Sequence, residues 1–587
     1  MKDFKKLKML INVGKSMLDE AKKSEASKRA GIDIKADLKK VINAEMPKKL
    51  VKDIVLSHKA KIDSLKEMLN SDEAAFIKMA ATGSEPGKKV AMATEKVANG
   101  VEILEDLIPE KIRIEYINYK HWCLNNYYMA KMGLSAPIPF ISGMLRYTWI
   151  FDLAKANSMT TNYVQGRSGA NLKQVQKHMT FMIKEMCDML IYALQYPDEV
   201  VLKQNLVPPE IVRAMGLQCM LPELPALVLP RADQFSGVQY LDQAEAKGIG
   251  VDTCGLPRFT AGVALMDEVP LGKCIISSNL PCDGGLASYE AVQQSVGNVP
   301  IYRLSVPYDF RNDDSIDMFV EDLKGMIEFL EENTGHTMDW ENLRHSCENY
   351  NNMVECELER WELAKTDNPP QTNDALWFAH YWNFIMTTGS DSTTKHHKEL
   401  MELSKKAFKK GQPSFPNMKY RAIVWNPPPY GYGHMWNWLE RCWGVGSVMD
   451  LETYGDMEYI NTTSPESMLR GLGKRYMWAT MAKHTRGAAE NMLGDLQRAI
   501  EEFKPDFIIY PAHMGCKNSM SLESTMKEQC KKMGVPFCIF RYELLDSRVT
   551  SRHDIREQFN KFMTETMNAK PLDARLLQID DSNESDW

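Results

Sequence analysis

Cys254, Cys282 and Cys516 each stand where strand or loop character gives way to helix, while most of the other nine cysteines fall inside predicted strands and helices. The start of a helix presents unsatisfied backbone N–H groups and the positive end of its dipole, which stabilise a thiolate. Three such thiolates brought together could hold an iron–sulfur cluster with one iron left open for chemistry. Their separations of 28 and 234 positions exclude a ferredoxin-like carrier, whose ligands lie in a short run. No Cys-x-x-Cys pair occurs, which disfavours structural zinc. Inert core thiols remain the competing reading, since free cysteine is often simply buried.

Other residue types gather near these positions. His513 precedes Cys516 by three residues and is a candidate donor to sulfur or acid/base group. Ser277, Ser278 and Asn279 close the strand before Cys282, in reach of a cluster sulfide or a carbonyl oxygen. The segment Trp425-Asn-Pro-Pro-Pro-Tyr-Gly-Tyr-Gly-His434 is a strand-to-helix loop whose glycines allow close approach of a ligand. Tyr430, Tyr432 and His434 are its candidate substrate contacts. Arg258 is a candidate for a ligand phosphate or an interdomain salt bridge, and Lys474, Arg475, His484 and Arg486 form a candidate basic patch. His513, Ser278 and His434 are the expected catalytic side chains.

The elements that must position these residues are legible in outline. Strands are expected at 200–202, 226–229, 273–278 and 299–304, then at 420–425, 447–451, 506–510 and 536–540. Helices are expected from Pro208 to Ala214, from a start with Pro257 as first residue, at 286–296, 435–443, and from Cys516 to about 533. Strands alternating with helices at this spacing specify parallel, doubly wound sheets. The two regions echo each other: strand, cysteine turn, helix, glycine stop, strand. From cysteine to the proline opening the next strand is 18 residues in the first (Cys282 to Pro300) and 20 in the second (Cys516 to Pro536). Ligands of open α/β sheets bind beyond the carboxyl ends of strands. Two such domains facing one cleft would therefore bring Cys282 and Cys516 together. The expected organisation is a helical N-terminal region (1–195), a first α/β domain (196–310), a helical segment (311–415), a second α/β domain (416–572) and an acidic tail (573–587).

A chain of 587 residues and 67.0 kDa exceeds a single core. Its 44% hydrophobic and 25% charged residues are those of a globular protein. No eighteen-residue stretch escapes charge or proline, so no membrane span and no signal peptide are expected. The irregular cysteine spacing fits a reducing cytoplasm. Residues 1–90 carry 21 Lys and Arg against 13 Asp and Glu, a surplus of eight that leaves −15 for the rest of a chain of net charge −7. Such a basic arm is either a solvated helix face or a docking element, and the acidic whole gives no support for nucleic-acid binding.

Asn279-Leu-Pro-Cys-Asp-Gly-Gly285 and His513-Met-Gly-Cys-Lys-Asn518 resemble the second and third cysteine motifs of the 2-hydroxyacyl-CoA dehydratase family, which includes the ATP-dependent benzoyl-CoA reductase subunits. Val207-Pro-Pro-Glu-Ile-Val-Arg-Ala-Met-Gly216 is similar to the family's first helix, and Asp252-Thr-Cys-Gly255 occupies the place of its first cysteine. The resemblance covers roughly residues 195–570. It implies a [4Fe-4S] cluster on Cys254, Cys282 and Cys516, a related second subunit, and a separate ATP-hydrolysing iron–sulfur activator that delivers one electron. It further implies an acyl-CoA substrate, dehydrated through a ketyl radical. An aromatic acyl-CoA reductase subunit and a non-catalytic relay or scaffold subunit are the rival readings. The N-terminal region of about 190 residues is an addition to the family pattern.

Overall fold

The computed structural model describes residues 163–579 with a few short gaps, and parts of the segment 113–154. The helices expected over roughly the first 110 residues, the basic arm and the end of the acidic tail lie outside the described residues. Those described from Ile117 onward belong to one compact unit.

Within it stand two four-stranded parallel sheets. The first contains β1 (Val200–Lys203), β2 (Gln218–Met220), β3 (Cys274–Ser278) and β4 (Ile301–Leu304), in the order β2-β1-β3-β4. The second contains β5 (Tyr420–Val424), β6 (Val445–Asp450), β7 (Phe507–His513) and β8 (Phe537–Tyr542), in the order β6-β5-β7-β8. The two orders superimpose strand for strand, so the strand before Cys282 and the strand before Cys516 are topologically equivalent. The echo in the sequence is thus a repeat of topology. Central strands β1, β3 and β7 are buried at every residue, whereas the edge strand β8 alternates between partly and fully buried positions. Helices covering both faces of a parallel sheet require the first pattern, and an edge permits the second.

Helix α1 (Gly169–Gln195) leads into the first lobe, which carries α2 (Pro209–Ala214), α3 (Leu224–Ala232), α4 (Val238–Ala246), α5 (Gly255–Leu265) and α6 (Asp283–Ser295). A helical segment follows: α7 (Asp313–Thr334), α8 (Trp340–Ala364), α9 (Trp377–Trp382) and α10 (Asp391–Lys409). The second lobe carries α11 (Met435–Trp438), α12 (Pro465–Trp478), α13 (Ala489–Phe503), α14 (Lys517–Lys532) and α15 (Arg552–Lys561). Its core joins Ile423 and Ile508 of the sheet to Trp361 of α8 and to Leu496, Ile500 and Phe503 of α13. Each such fully buried side chain contributes about 1.5–3 kcal/mol of hydrophobic stabilisation.

Residues 226–229, expected as a strand, lie in α3. Every side chain from Leu224 to Arg231 is buried, so neither a period of 2 nor one of 3.6 is written in that run. Pro225 in the first turn is the helical signal that remained. The short strand β2 and helix α4 occupy stretches for which no element is expected, and α5 starts two residues earlier than its proline suggests.

Candidate functional site

Cys254, Cys282 and Cys516 are the N-cap residues of α5, α6 and α14, each with non-helical backbone followed at once by helix. They also differ from the other described cysteines in access. Cys282 is exposed and Cys254 and Cys516 are partly so, whereas the remaining described cysteines are all buried.

Two glycines bring the three turns together. A Cβ on Gly284 would lie 2.9 Å from Pro257 Cγ of α5 and 3.8 Å from Cys282 Sγ, so the Cys282 turn sits on the first turn of the Cys254 helix. A Cβ on Gly515 would lie 2.8 Å from Cys254 Cα and 3.3 Å from its backbone nitrogen, so the Cys516 turn abuts Cys254 across the two lobes. Glu543, at the end of β8, ties the same junction. Its Oε1 accepts from Gly255 N–H in the other lobe (3.0 Å), and its Oε2 accepts from Leu545 and Asp546 N–H (2.8 and 2.6 Å).

Matching side-chain amides fix the cysteine loops at the crevice of each sheet. Gln204, just past β1, donates to Leu280 O (2.7 Å) and accepts from Ser278 N–H (2.8 Å). Asn426, just past β5, donates to Pro511 O (2.6 Å) and stands 3.0 Å from the Ser519 hydroxyl. That hydroxyl also lies 3.1 Å from Cys516 Sγ. His513 Nε2 is 3.2 Å from Cys254 Sγ, and burial lowers the imidazole pKa so that the ring is neutral.

The electrostatics differ from a simple helix-dipole expectation. Burial pushes the Cys254 thiol well above its ordinary pKa, and the charges of Cys516, Glu543 and Cys282 push the same way. Desolvation of the sulfur likewise raises Cys282, although the residue as a whole is exposed, against the opposing backbone N–H groups of Gly285 and Gly284. Desolvation and mutual repulsion therefore outweigh the helix termini at both thiols. Thiols that resist ionisation alone, as Cys254 and Cys282 do, are ones that a multiply charged cation would stabilise as thiolates, with release of protons. The donor set fits an iron–sulfur cluster in that sense.

A cleft opens beside the strand ends, lined by Leu206, Tyr381, Glu452, Arg475, His380 and His397 among others. Both carboxyl oxygens of Glu452 are buried without a hydrogen-bond partner. Burial and the neighbouring Asp450 hold its pKa well above the carboxylate range. Tyr381, which accepts from Asn205 Nδ2 (3.1 Å), feels the charges of both Glu452 and Cys282, and Tyr542 those of Glu452 and Cys254. Of the two, Tyr381 lines the cleft.

The other sequence-selected residues divide. His513 joins the thiol cluster. The Ser278 hydroxyl accepts from Leu280 N–H (3.0 Å), and Asn279 exchanges hydrogen bonds with the Val306 backbone, so both hold the loop. Ser277 Oγ is buried without a partner. His434 is buried beside Arg552; burial first and that charge second bring its pKa down to about 3, and it is not among the residues lining the cleft. Tyr430 lies under the Arg231 guanidinium, 3.8 Å from its ring centroid, and the Tyr432 hydroxyl accepts from Arg556 (2.9 Å). Arg258 is buried and bonded to Glu245 (2.9 Å) and Val251 O (3.0 Å), a structural cation. The members of the basic patch that are described are engaged in ion pairs, Arg475 with buried Glu210, His484 with Asp495 (2.7 Å) and Lys474 with Glu458, and Arg486 lies outside the described residues.

Sequence reading missed Glu543, Glu452 and Tyr381. Glu452 stands just past an expected strand, where the strand-end rule would have found it. Tyr381 and the helical segment's Glu357, His380 and His397 carry no local signal, because separate helices bring them to the cleft.

Paired lobes of equivalent topology, with cysteine-capped helices meeting at their junction, define an α/β protein with an interlobe site. The chain belongs to the 2-hydroxyglutaryl-CoA dehydratase D-component family, whose model matches residues 204–564, from the end of β1 through α15. It is thus a subunit of 2-hydroxyacyl-CoA dehydratase type, as the cysteine motifs led one to expect. No curated protein matches the chain significantly. Among the described residues no helix is long and apolar enough to cross a membrane.

Proposed function

We propose that this chain is the cytoplasmic iron–sulfur subunit of an enzyme that removes water from a 2-hydroxyacyl-CoA through a ketyl radical. A related second subunit completes it, and a separate ATP-hydrolysing activator supplies one electron. The observation that supports the reading is the meeting of three cysteine-capped helix starts at the lobe junction, where Gly284 and Gly515 allow the close approach. Cys254, Cys282 and Cys516 would hold a [4Fe-4S] cluster, which when bound supplies a strongly reducing electron and a Lewis-acidic iron.

The chain's own residues have separable tasks. His513 and Ser519 hold the sulfurs of Cys254 and Cys516 in place. Glu543 and the two crevice amides fix the loops that carry all three thiols. Burial keeps the Tyr381 and Tyr542 hydroxyls protonated, so the wall between thiols and cleft stays neutral. Glu452, protonated in its buried site, gives its proton to the departing hydroxyl, which leaves as water. The resulting carboxylate then takes the β-proton, and Glu452 returns to its starting state.

Anaerobic purification with iron and sulfide analysis tests the proposal. About four irons per chain, lost in Cys282→Ala and Cys516→Ala, together with dehydration activity when partner and activator are added, is the expected result. A chain that retains no iron after reconstitution, or one that binds iron equally without these cysteines, overturns it.

A further inference from the structure

The helical segment builds a second cluster of ligand-type side chains, apart from the cysteines. Glu357 of α8, His380 of α9 and His397 of α10 offer one carboxylate oxygen and two imidazole nitrogens, all within 4.8 Å of one another. His397 Nδ1 is 2.6 Å from Glu357 Oε1, and His380 Nε2 is 3.6 Å from Oε2. All three residues line the cleft. An independent observation lies beside them. His178 of α1 is fully buried, its ring centroid 4.9 Å from that of His380 and 4.8 Å from that of His396, and its Nε2 has no hydrogen-bond partner. Two imidazoles meet the carboxylate and two more stack beside them, and a buried nitrogen without a partner is costly.

We infer that Glu357, His380 and His397 bind a divalent first-row transition metal ion, of the Zn²⁺ or Fe²⁺ class, at the wall of the cleft. Two imidazoles and one carboxylate suit these ions, whereas Mg²⁺ and Ca²⁺ prefer all-oxygen shells. Three protein ligands leave coordination positions open, and their place on the cleft wall points those positions to water or to an oxygen of the cleft's occupant. Arg360 donates to both Glu357 oxygens (2.9 and 3.0 Å). The Asn383 side-chain amide stands 3.0 Å from His397 Nε2; with Nδ1 on the metal that nitrogen carries the proton, and the amide turns its oxygen to accept it. Arg360 also approaches His380 Nε2 at 3.2 Å. Metal binding takes that lone pair, leaving the guanidinium as the carboxylate's outer partner.

The test is a Co²⁺ titration of the full chain after treatment with a chelator, followed by visible absorption and metal analysis. One Co²⁺ per chain is expected, with a ligand-field band and no sulfur-to-cobalt charge transfer. Glu357→Gln and His380→Gln are expected to weaken binding at least tenfold while circular dichroism stays that of wild type, and the exposed-site control His345→Gln leaves it unchanged. If a variant fails to fold, the wild-type titration still decides. No stoichiometric Co²⁺, Co²⁺ bound only through thiolates, or undiminished binding in both folded variants overturns the inference. Iron and sulfide counted on the same preparations before the chelator is added keep this result separate from the cluster reading: a preparation that never held a cluster yet binds cobalt would sink that proposal and leave this one standing.

Discussion

Replacing Gly515 by alanine tests the junction on which the three thiols depend. The added methyl would stand 2.8 Å from Cys254 Cα and 3.0 Å from His513 Cε1. Carbon atoms pack at about 3.5–4.0 Å, so the contact with Cys254 is short by about 0.7 Å or more. The obstacle is backbone, and the His513 ring behind it is buried and in contact with Cys254 Sγ, so neither yields cheaply. The lobes must part at this point, at a cost of about 1–3 kcal/mol typical of overpacking. That strain falls on the arrangement in which Cys254 and Cys516 meet, and 1.4 kcal/mol is a factor of ten in an equilibrium. Iron release to a chelator, followed anaerobically, should therefore quicken by roughly five- to a hundredfold, with helix content unchanged. Gly494, whose Cβ would meet nothing within 4 Å inside α13, is the matched control; alanine there should leave iron release unaltered. Should Gly515→Ala hold its iron as wild type does, with unaltered thermal stability, the close approach is not what gathers the thiols.

Two further outcomes are expected. Glu452→Gln should keep its iron and its substrate KM while kcat for dehydration falls by about 10²–10⁴, the usual contribution of a positioned acid–base group; a change of less than threefold would remove Glu452 from the proton path. Glu223, pushed up to about 7 by burial, binds its proton more tightly folded than unfolded. Folding then takes up a proton between pH 4.5 and about 7, and stability falls as pH rises through that window, by about 3 kcal/mol when complete. Chemical denaturation of wild type and Glu223→Gln across this range should show that loss in wild type alone, and parallel curves would refute it.

Much of the architecture was readable because the code for it is local. Apolar strand runs such as Phe507–Tyr510, helix starts after Cys282 and Cys516, and glycine stops before the following strands are decided by neighbours in sequence. The repeat of cysteine turns was readable for the same reason, and the equivalence of β3 with β7 follows from it. Where a segment is buried on every face, as in α3, periodicity vanishes and the sequence does not distinguish strand from helix.

The sequence alone determined which side chains with sulfur chemistry sit at helix starts, and that two like α/β lobes carry them. Only the tertiary structure decided what meets what: that Gly515 lies on Cys254, that Glu543 of one lobe caps Gly255 of the other, that Ser278 serves its own loop, and that Glu357, His380 and His397 converge from three helices. The reason is one of range. Backbone propensity and apolar period act over a few residues, whereas desolvation, close packing and charge coupling depend on neighbours in space, which may be hundreds of positions away along the chain.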